Sequence, residues 1–410
     1  MPGPADRPEI SVIVPTYNQS TLLRATLRQL ARQTLPADSF EVIVADDGSA
    51  DDTADVVKEF GDRLRIGLHH QEDLGFRLAT VRNAGARLAS GRLLCFLDTG
   101  AIPGPDFLRE HLAAHAAGDR RVVLGYAYGY NPDAPPWSVA EMLGAMHPED
   151  AVARMGDDPA FRDVRHNALE ACGFDPERRT IPWGLCFTLN CSLDAGHFKA
   201  VGGFDEGFTD WGGEDLEIAY RLHRHGLVFH FSREAWVIEH PSERDVKAQL
   251  DSWRENMRRH LLTRPDPVME LCWALIGINR PFWDWDREYG GLLEVARAGR
   301  DLTVAGEIAR ALARVPTGDR VAVIGCGAEL PGSRPLVALD YDRELLDRAL
   351  AAGPHLGHHA VGLRTPLADG AVDTVVITSR LAALWPRWAP DLLMEAQRIG
   401  ATVVRTFPLP

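Results

Sequence analysis

No two cysteines stand at CxxC spacing, no run of basic residues occurs, and no apolar stretch is long enough to span a bilayer. The six cysteines (Cys95, Cys172, Cys186, Cys191, Cys272 and Cys326) are scattered, most of them in apolar strings such as LLCFLD. They read as buried free thiols, the state expected in a reducing cytoplasm. Acidic residues outnumber basic ones by 58 to 44, for a net charge of −14. Such a chain repels polyphosphate, which excludes nucleic acid as a partner and requires any nucleotide site to be local. The longest apolar run, 268 to 278, is interrupted by Glu270, and MPGPADRPEISV lacks the charged-then-apolar form of a signal peptide. A soluble protein with no membrane partner is expected.

What is present is an ordinary globular composition, 45% hydrophobic and 25% charged, spread over 410 residues. That length points to two domains or one with large insertions. EISVIV (9 to 14) reads as a buried strand ending at Pro15, and Leu23, Leu27, Leu30 and Ala31 follow at helical spacing. Further strands are expected at 40–45, 64–69 and 93–97, with a helix over 78–89. This alternation is the pattern of an α/β fold whose mostly parallel sheet carries its site at the carboxyl ends of the strands. Residues 131–182, rich in Pro, Asp and Arg, read as a long irregular insertion beside the site. The pattern resumes with GLCFTLN (184 to 190), a helix from near Glu214, and two strands over 227–231 and 235–239. The expected organisation is a first domain over 1–245, a helical linker over 246–300 and a smaller α/β domain over 301–410.

SVIVPTYN (11 to 18), EVIVADDGSADDT (41 to 53) and LLCFLDTG (93 to 100) occur in an order and spacing that resemble family 2 glycosyltransferases of the GT-A fold. The resemblance implies a UDP-sugar donor. A uracil N3–H needs an acceptor, and a carboxylate at a strand end supplies a charge-assisted one. The resemblance gives that role to Asp46, with Pro15 and Thr16 as backbone contacts and Asp98 and Thr99 also at the donor. Asp46 and Asp47 can equally cap the next helix, Asp47 more readily. Arg82, in GFRLATVRNAG (75 to 85), matches an arginine near the uracil and phosphates, although a solvated helix-face arginine would look the same. Asp98 is the first carboxylate of the family's DxD motif, whose second Asp binds Mg²⁺ or Mn²⁺ and neutralises the diphosphate. Here that position is Gly100, so any metal is expected to bind weakly. His240, in AWVIEHP, matches a metal-ligand position of related enzymes, or is structural.

GGFDEGFTDWGGEDLEIAYRL (202 to 222) resembles the carboxyl-terminal motif of β-galactosyltransferase-like enzymes and bacterial chondroitin-type polymerases. Trp211 offers a flat apolar face to a sugar ring, and the glycines, including Gly213, let the backbone approach a ligand. Glu214 and Asp215 open a helix, where the dipole favours their ionised forms. An inverting transfer is one displacement and needs a single general base. The resemblance assigns that base to Asp215, with Glu214 hydrogen-bonding a small hydroxylated acceptor. An acidic first helical turn would account for both residues but not for the preceding WGG.

RVAVIGCGAELPGSRPLVALDYDRELLDRAL (320 to 350) looks like the opening of a methyltransferase-type Rossmann fold, with Asp340 at the ribose position. Only residues 328–335 separate its first two strands, too few for the usual crossover helix. A degenerate, structural domain is expected. A soluble polymerase-like enzyme, a bifunctional transferase and a non-enzymatic nucleotide-sugar binder share these motifs, and the sequence leaves the sugar and the oligomeric state open.

Overall fold

The computed structural model describes residues 7–130, 138–241, 245–276, 282–332 and 334–408. The chain divides into two compact units, Met1–Asn256 and Met257–Pro410, with the boundary inside the helix Val246–Thr263.

In the first unit the described residues form an eight-stranded mixed sheet. Its strands are β1 (Ile10–Thr16), β2 (Phe40–Asp46), β3 (Ile66–His70), β4 (Leu93–Leu97), β5 (Ala101–Pro103), β6 (Arg121–Tyr128), β7 (Asn190–Asp194) and β8 (Val228–Glu239), in the order β3-β2-β1-β4-β7-β6-β8-β5. β1 lies in parallel register between β2 and β4, and β7 runs antiparallel to β4 and β6. All seven residues of β1 and of β2 are buried, as expected for strands covered on both faces. Val12, Val14, Val42 and Val44 share a core cluster with Leu23, Leu27 and Leu30 of the helix Ser20–Leu30, the periodic residues of the sequence. Pro15 does not end β1, which continues one residue further to pair Thr16 with Asp46.

Of the insertion expected over 131–182, residues 131–137 lie outside the described residues, and residues 138–182 are not irregular. They fold into short helices, Ser138–Ala145, Pro148–Met155, Pro159–Phe161, His166–Ala171 and Pro176–Arg178. Their prolines begin helices instead of breaking them, because a proline at the first helical position gives up an N–H that has no partner there. The 3₁₀ turn Pro182–Leu185 occupies the first part of the strand expected at 184–190, so β7 starts only at Asn190, opposite Leu97. The two strands expected over 227–239 are one strand, β8, whose register against β6 shifts between Gly125 and Ala127.

The second unit holds a five-stranded parallel sheet among the described residues. β9 (Val321–Ile324), β10 (Val337–Asp340), β11 (Leu356–His359), β12 (Val372–Ile377) and β13 (Gly400–Arg405) stand in the order β11-β10-β9-β12-β13. No helix joins β9 to β10 among the described residues. Asp340 and Arg380 are fully buried and ion-paired at 2.9 Å, and the same carboxylate accepts the Gly327 N–H at 2.8 Å. Buried Glu270 accepts backbone N–H groups from Val361, Gly362, Leu363 and Arg364 at 2.6–3.1 Å. Among the described residues no helix is long and apolar enough to cross a membrane, and all six cysteines are buried and free.

Candidate active site

The carboxyl ends of β1, β4 and β8 converge on a cleft of about 340 Å³. Pro15, Thr16, Asp98, Thr99 and His240 line it. The Thr99 hydroxyl donates to the Pro15 carbonyl at 2.8 Å and ties the loop after β4 to the end of β1. Gly100 turns that loop at φ +93°, a conformation side chains rarely adopt, and its carbonyl accepts the His240 N–H at 3.0 Å.

Asp46 does not line the cleft, and Asp47 does. The Asp46 carboxylate turns into its own loop, where one oxygen accepts the Ser49 N–H at 2.9 Å and the other lies 2.7 Å from His70 Nδ1. Asp47 does not cap the helix Thr53–Glu59. It accepts the N–H of Arg77, at the entrance to the helix Leu78–Leu88, while Asp51 accepts from Thr53. Tyr17, Phe76 and Glu239 also line the cleft and went unnoticed in the sequence. A signal for Glu239 was present, since it directly precedes His240 at the end of a strand.

Arg82 is neither solvated nor part of the cleft lining. Its guanidinium is 1% exposed and donates to Glu214 at 3.0 Å and to Asp98 at 2.8 Å, with Asp215 3.5 Å away. Burial works against this cation, but the three carboxylates around it hold its pKa above the ordinary arginine value. Arg82 therefore joins Asp98, just after β4, to the two carboxylates that open the helix Glu214–Arg224.

Gly213 caps the helix Glu214–Arg224 at φ +92°, and at the start of that helix Glu214 is buried and Asp215 partly buried. Burial and the neighbouring Asp215 push the Glu214 carboxyl up to about 7, against the pull of Arg82. Burial also raises Asp215, opposed by Arg82 and by hydrogen bonds from Thr188. Trp211 is half-buried, and its carbonyl accepts the Ser252 hydroxyl at 2.9 Å. Asn256 holds the same loop through the carbonyls of Asp210 at 3.0 Å and Gly212 at 2.7 Å.

Among the described residues no group of three or more His, Cys, Asp or Glu side chains is arranged to hold a metal ion. Asp98 and His240 share the cleft wall without forming a closed ligand set.

The cleft at the carboxyl ends of β1, β4 and β8, the DTG loop and the acidic helix start fit a sugar-transferring enzyme, the class the comparisons show. The family model "Glycosyl transferase family 2" matches residues 11–172, and "N-terminal domain of galactosyltransferase" matches 170–240. The chain belongs to the family 2 glycosyltransferases. It is 44% identical to a protein named validoxylamine A glucosyltransferase from Streptomyces hygroscopicus subsp. limoneus, covering 98% of this chain and 92% of that one. Chondroitin synthase of Escherichia coli is 31% identical over 54% of this chain and 33% of its own. Among solved structures, S. aureus TarS 1-349 in complex with UDP aligns with a TM-score of 0.43 and 18% identity, over 75% of this chain and 76% of that one.

Proposed function

We propose that this enzyme transfers glucose from UDP-glucose to a hydroxyl of validoxylamine A, with inversion at the anomeric carbon, to give validamycin A. The observation that carries this reading is the 44% identity to the validoxylamine A glucosyltransferase over nearly the whole of both chains. UDP enters the cleft. Pro15 and Thr16 contact the uracil through their backbone, and Asp47, which lines the cleft, accepts its N3–H in place of the better-buried Asp46. The acceptor sugar lies on Trp211 and Gly213 and hydrogen-bonds Glu214.

Asp215 takes the acceptor proton as the new bond to the anomeric carbon forms and the bond to the diphosphate breaks, releasing UDP. Burial raises the Asp215 carboxyl from its ordinary value, which strengthens it as a base. Glu214, neutral below about 7, can donate to an acceptor oxygen. A Mg²⁺ or Mn²⁺ ion, when bound, neutralises the leaving diphosphate. Asp98 and His240 are the residues to hold it, loosely, since Gly100 supplies no side-chain oxygen. Thr99 orders this loop from Pro15.

The test is UDP release from a panel of UDP-sugars with validoxylamine A as acceptor. UDP-glucose should be the preferred donor. Equal turnover of UDP-glucuronate or UDP-N-acetylhexosamines with oligosaccharide acceptors would favour a polymerase-like enzyme instead.

A further inference from the structure

We infer that Thr188, which the sequence alone gives no role, is a positioning residue that aims the Asp215 carboxylate; this rests on Asp215 being the base. Thr188 is 2% exposed and donates twice to the same carboxylate. Its hydroxyl donates to Asp215 Oδ1, and its N–H donates to Oδ2 at 3.3 Å. Two donors from one residue fix both the position and the plane of the carboxylate. Arg82, 3.5 Å from Oδ1, supplies charge, while Thr188 supplies direction. A base must sit within hydrogen-bond reach of the proton it takes, so a small rotation of this carboxylate is costly.

The segment that presents Thr188 is itself locked. Arg165, 1% exposed and paired with the fully buried Asp163, donates to the Leu185 carbonyl at 3.0 Å and to the Gly125 carbonyl at 2.8 Å. Its guanidinium also lies 4.9 Å from the centre of the Phe187 ring. Asp163 accepts the Ala127 N–H at 2.8 Å, which fastens this assembly to β6. Immediately after Thr188, the Leu189 carbonyl accepts the Asp98 N–H at 3.2 Å. Two consecutive residues thus hold the backbone of Asp98 and the carboxylate of the base, and tie the two positions together. The segment 163–188 belongs to the acceptor side of the enzyme through this contact.

The experiment compares wild type, Thr188→Val, Thr188→Ser and Asp215→Asn for kcat, for KM of donor and acceptor, and for thermal midpoint. Valine keeps the shape and the N–H but removes the hydroxyl; serine restores it. Thr188→Val should lower kcat about tenfold or more, the scale of losing a hydrogen bond to a charged group. Its donor KM should stay within about twofold, and Thr188→Ser should recover most of the turnover. Wild-type kcat in Thr188→Val alongside an inactive Asp215→Asn would overturn this inference and leave the base in place. An equal loss in the serine and valine variants, or a rise in donor KM matching the fall in kcat, would also overturn it. Substantial turnover in Asp215→Asn would instead remove the base, and the role of Thr188 with it.

Discussion

Arg82 and Glu214 are 132 residues apart in the chain and pair at 3.0 Å, with the guanidinium 1% and the carboxylate 7% exposed. A buried pair of this kind is costly to break on one side, because the remaining charge has no solvent to receive it. Arg82 also faces Asp98 and Asp215, so its loss would leave three carboxylates crowded together. Arg82→Ala should destabilise the first unit by about 3–5 kcal/mol in urea unfolding. Lysine in its place keeps the charge without the fork, and should recover part of that stability but little activity. A stable, active Arg82→Ala enzyme would show that the acidic residues need no buried counter-ion.

The Glu214 carboxyl, held at about 7, makes stability depend on pH in a defined direction. A buried acid whose pKa is raised favours the neutral form in the folded state. Its contribution is complete below the unfolded value of about 4.3 and is lost as pH rises through about 7. Glu214→Gln is neutral throughout, so its stability relative to wild type should increase between pH 5 and pH 8. Chemical denaturation at the two pH values measures this. A difference that stays constant across the window would contradict the raised value.

Asp215→Asn preserves shape and removes the proposed base. Turnover should fall by about 10²–10⁴-fold with donor affinity nearly unchanged. Steady-state kinetics with the donor titrated separately makes the measurement. Retention of more than about a tenth of wild-type turnover would require a different base.

The second unit should not bind S-adenosylmethionine. Asp340, at the position a ribose would use, is already paired with Arg380 and with the Gly327 N–H, and among the described residues no helix stands between β9 and β10 to receive an anionic group. Calorimetry should show no heat at micromolar ligand. A measurable affinity would mean that this ion pair opens.

The buried strands were legible because continuous apolar runs ending in turn residues leave little choice: β4 spans the expected residues, and β2 differs by one. The pleat also held the answer for Asp46. It shares parity with Phe40, Val42 and Val44, whose side chains enter the core cluster with the helix Ser20–Leu30, whereas Asp47 lies beyond the strand. That its side chain lies on the buried face could thus have been read from period two. The helical character of 138–182 was hidden by prolines, whose meaning depends on whether they open or interrupt a helix. Arg82 was not legible at all as a bridge. Its partners lie 16 and 132 residues away, and nothing local to GFRLATVRNAG distinguishes a buried guanidinium from a solvated one.

The central claim is glucosyl transfer with inversion, and the anomeric configuration of the product tests it most directly. Purified protein should be incubated with UDP-glucose, validoxylamine A and Mg²⁺ or Mn²⁺, and the new linkage read from the anomeric proton coupling by NMR. UDP-glucose carries an α-linked sugar, so a single displacement assisted by Asp215 predicts a β-glucoside formed in step with released UDP. An α-linked product, or no product when donor and acceptor are both present at high concentration, would contradict the account.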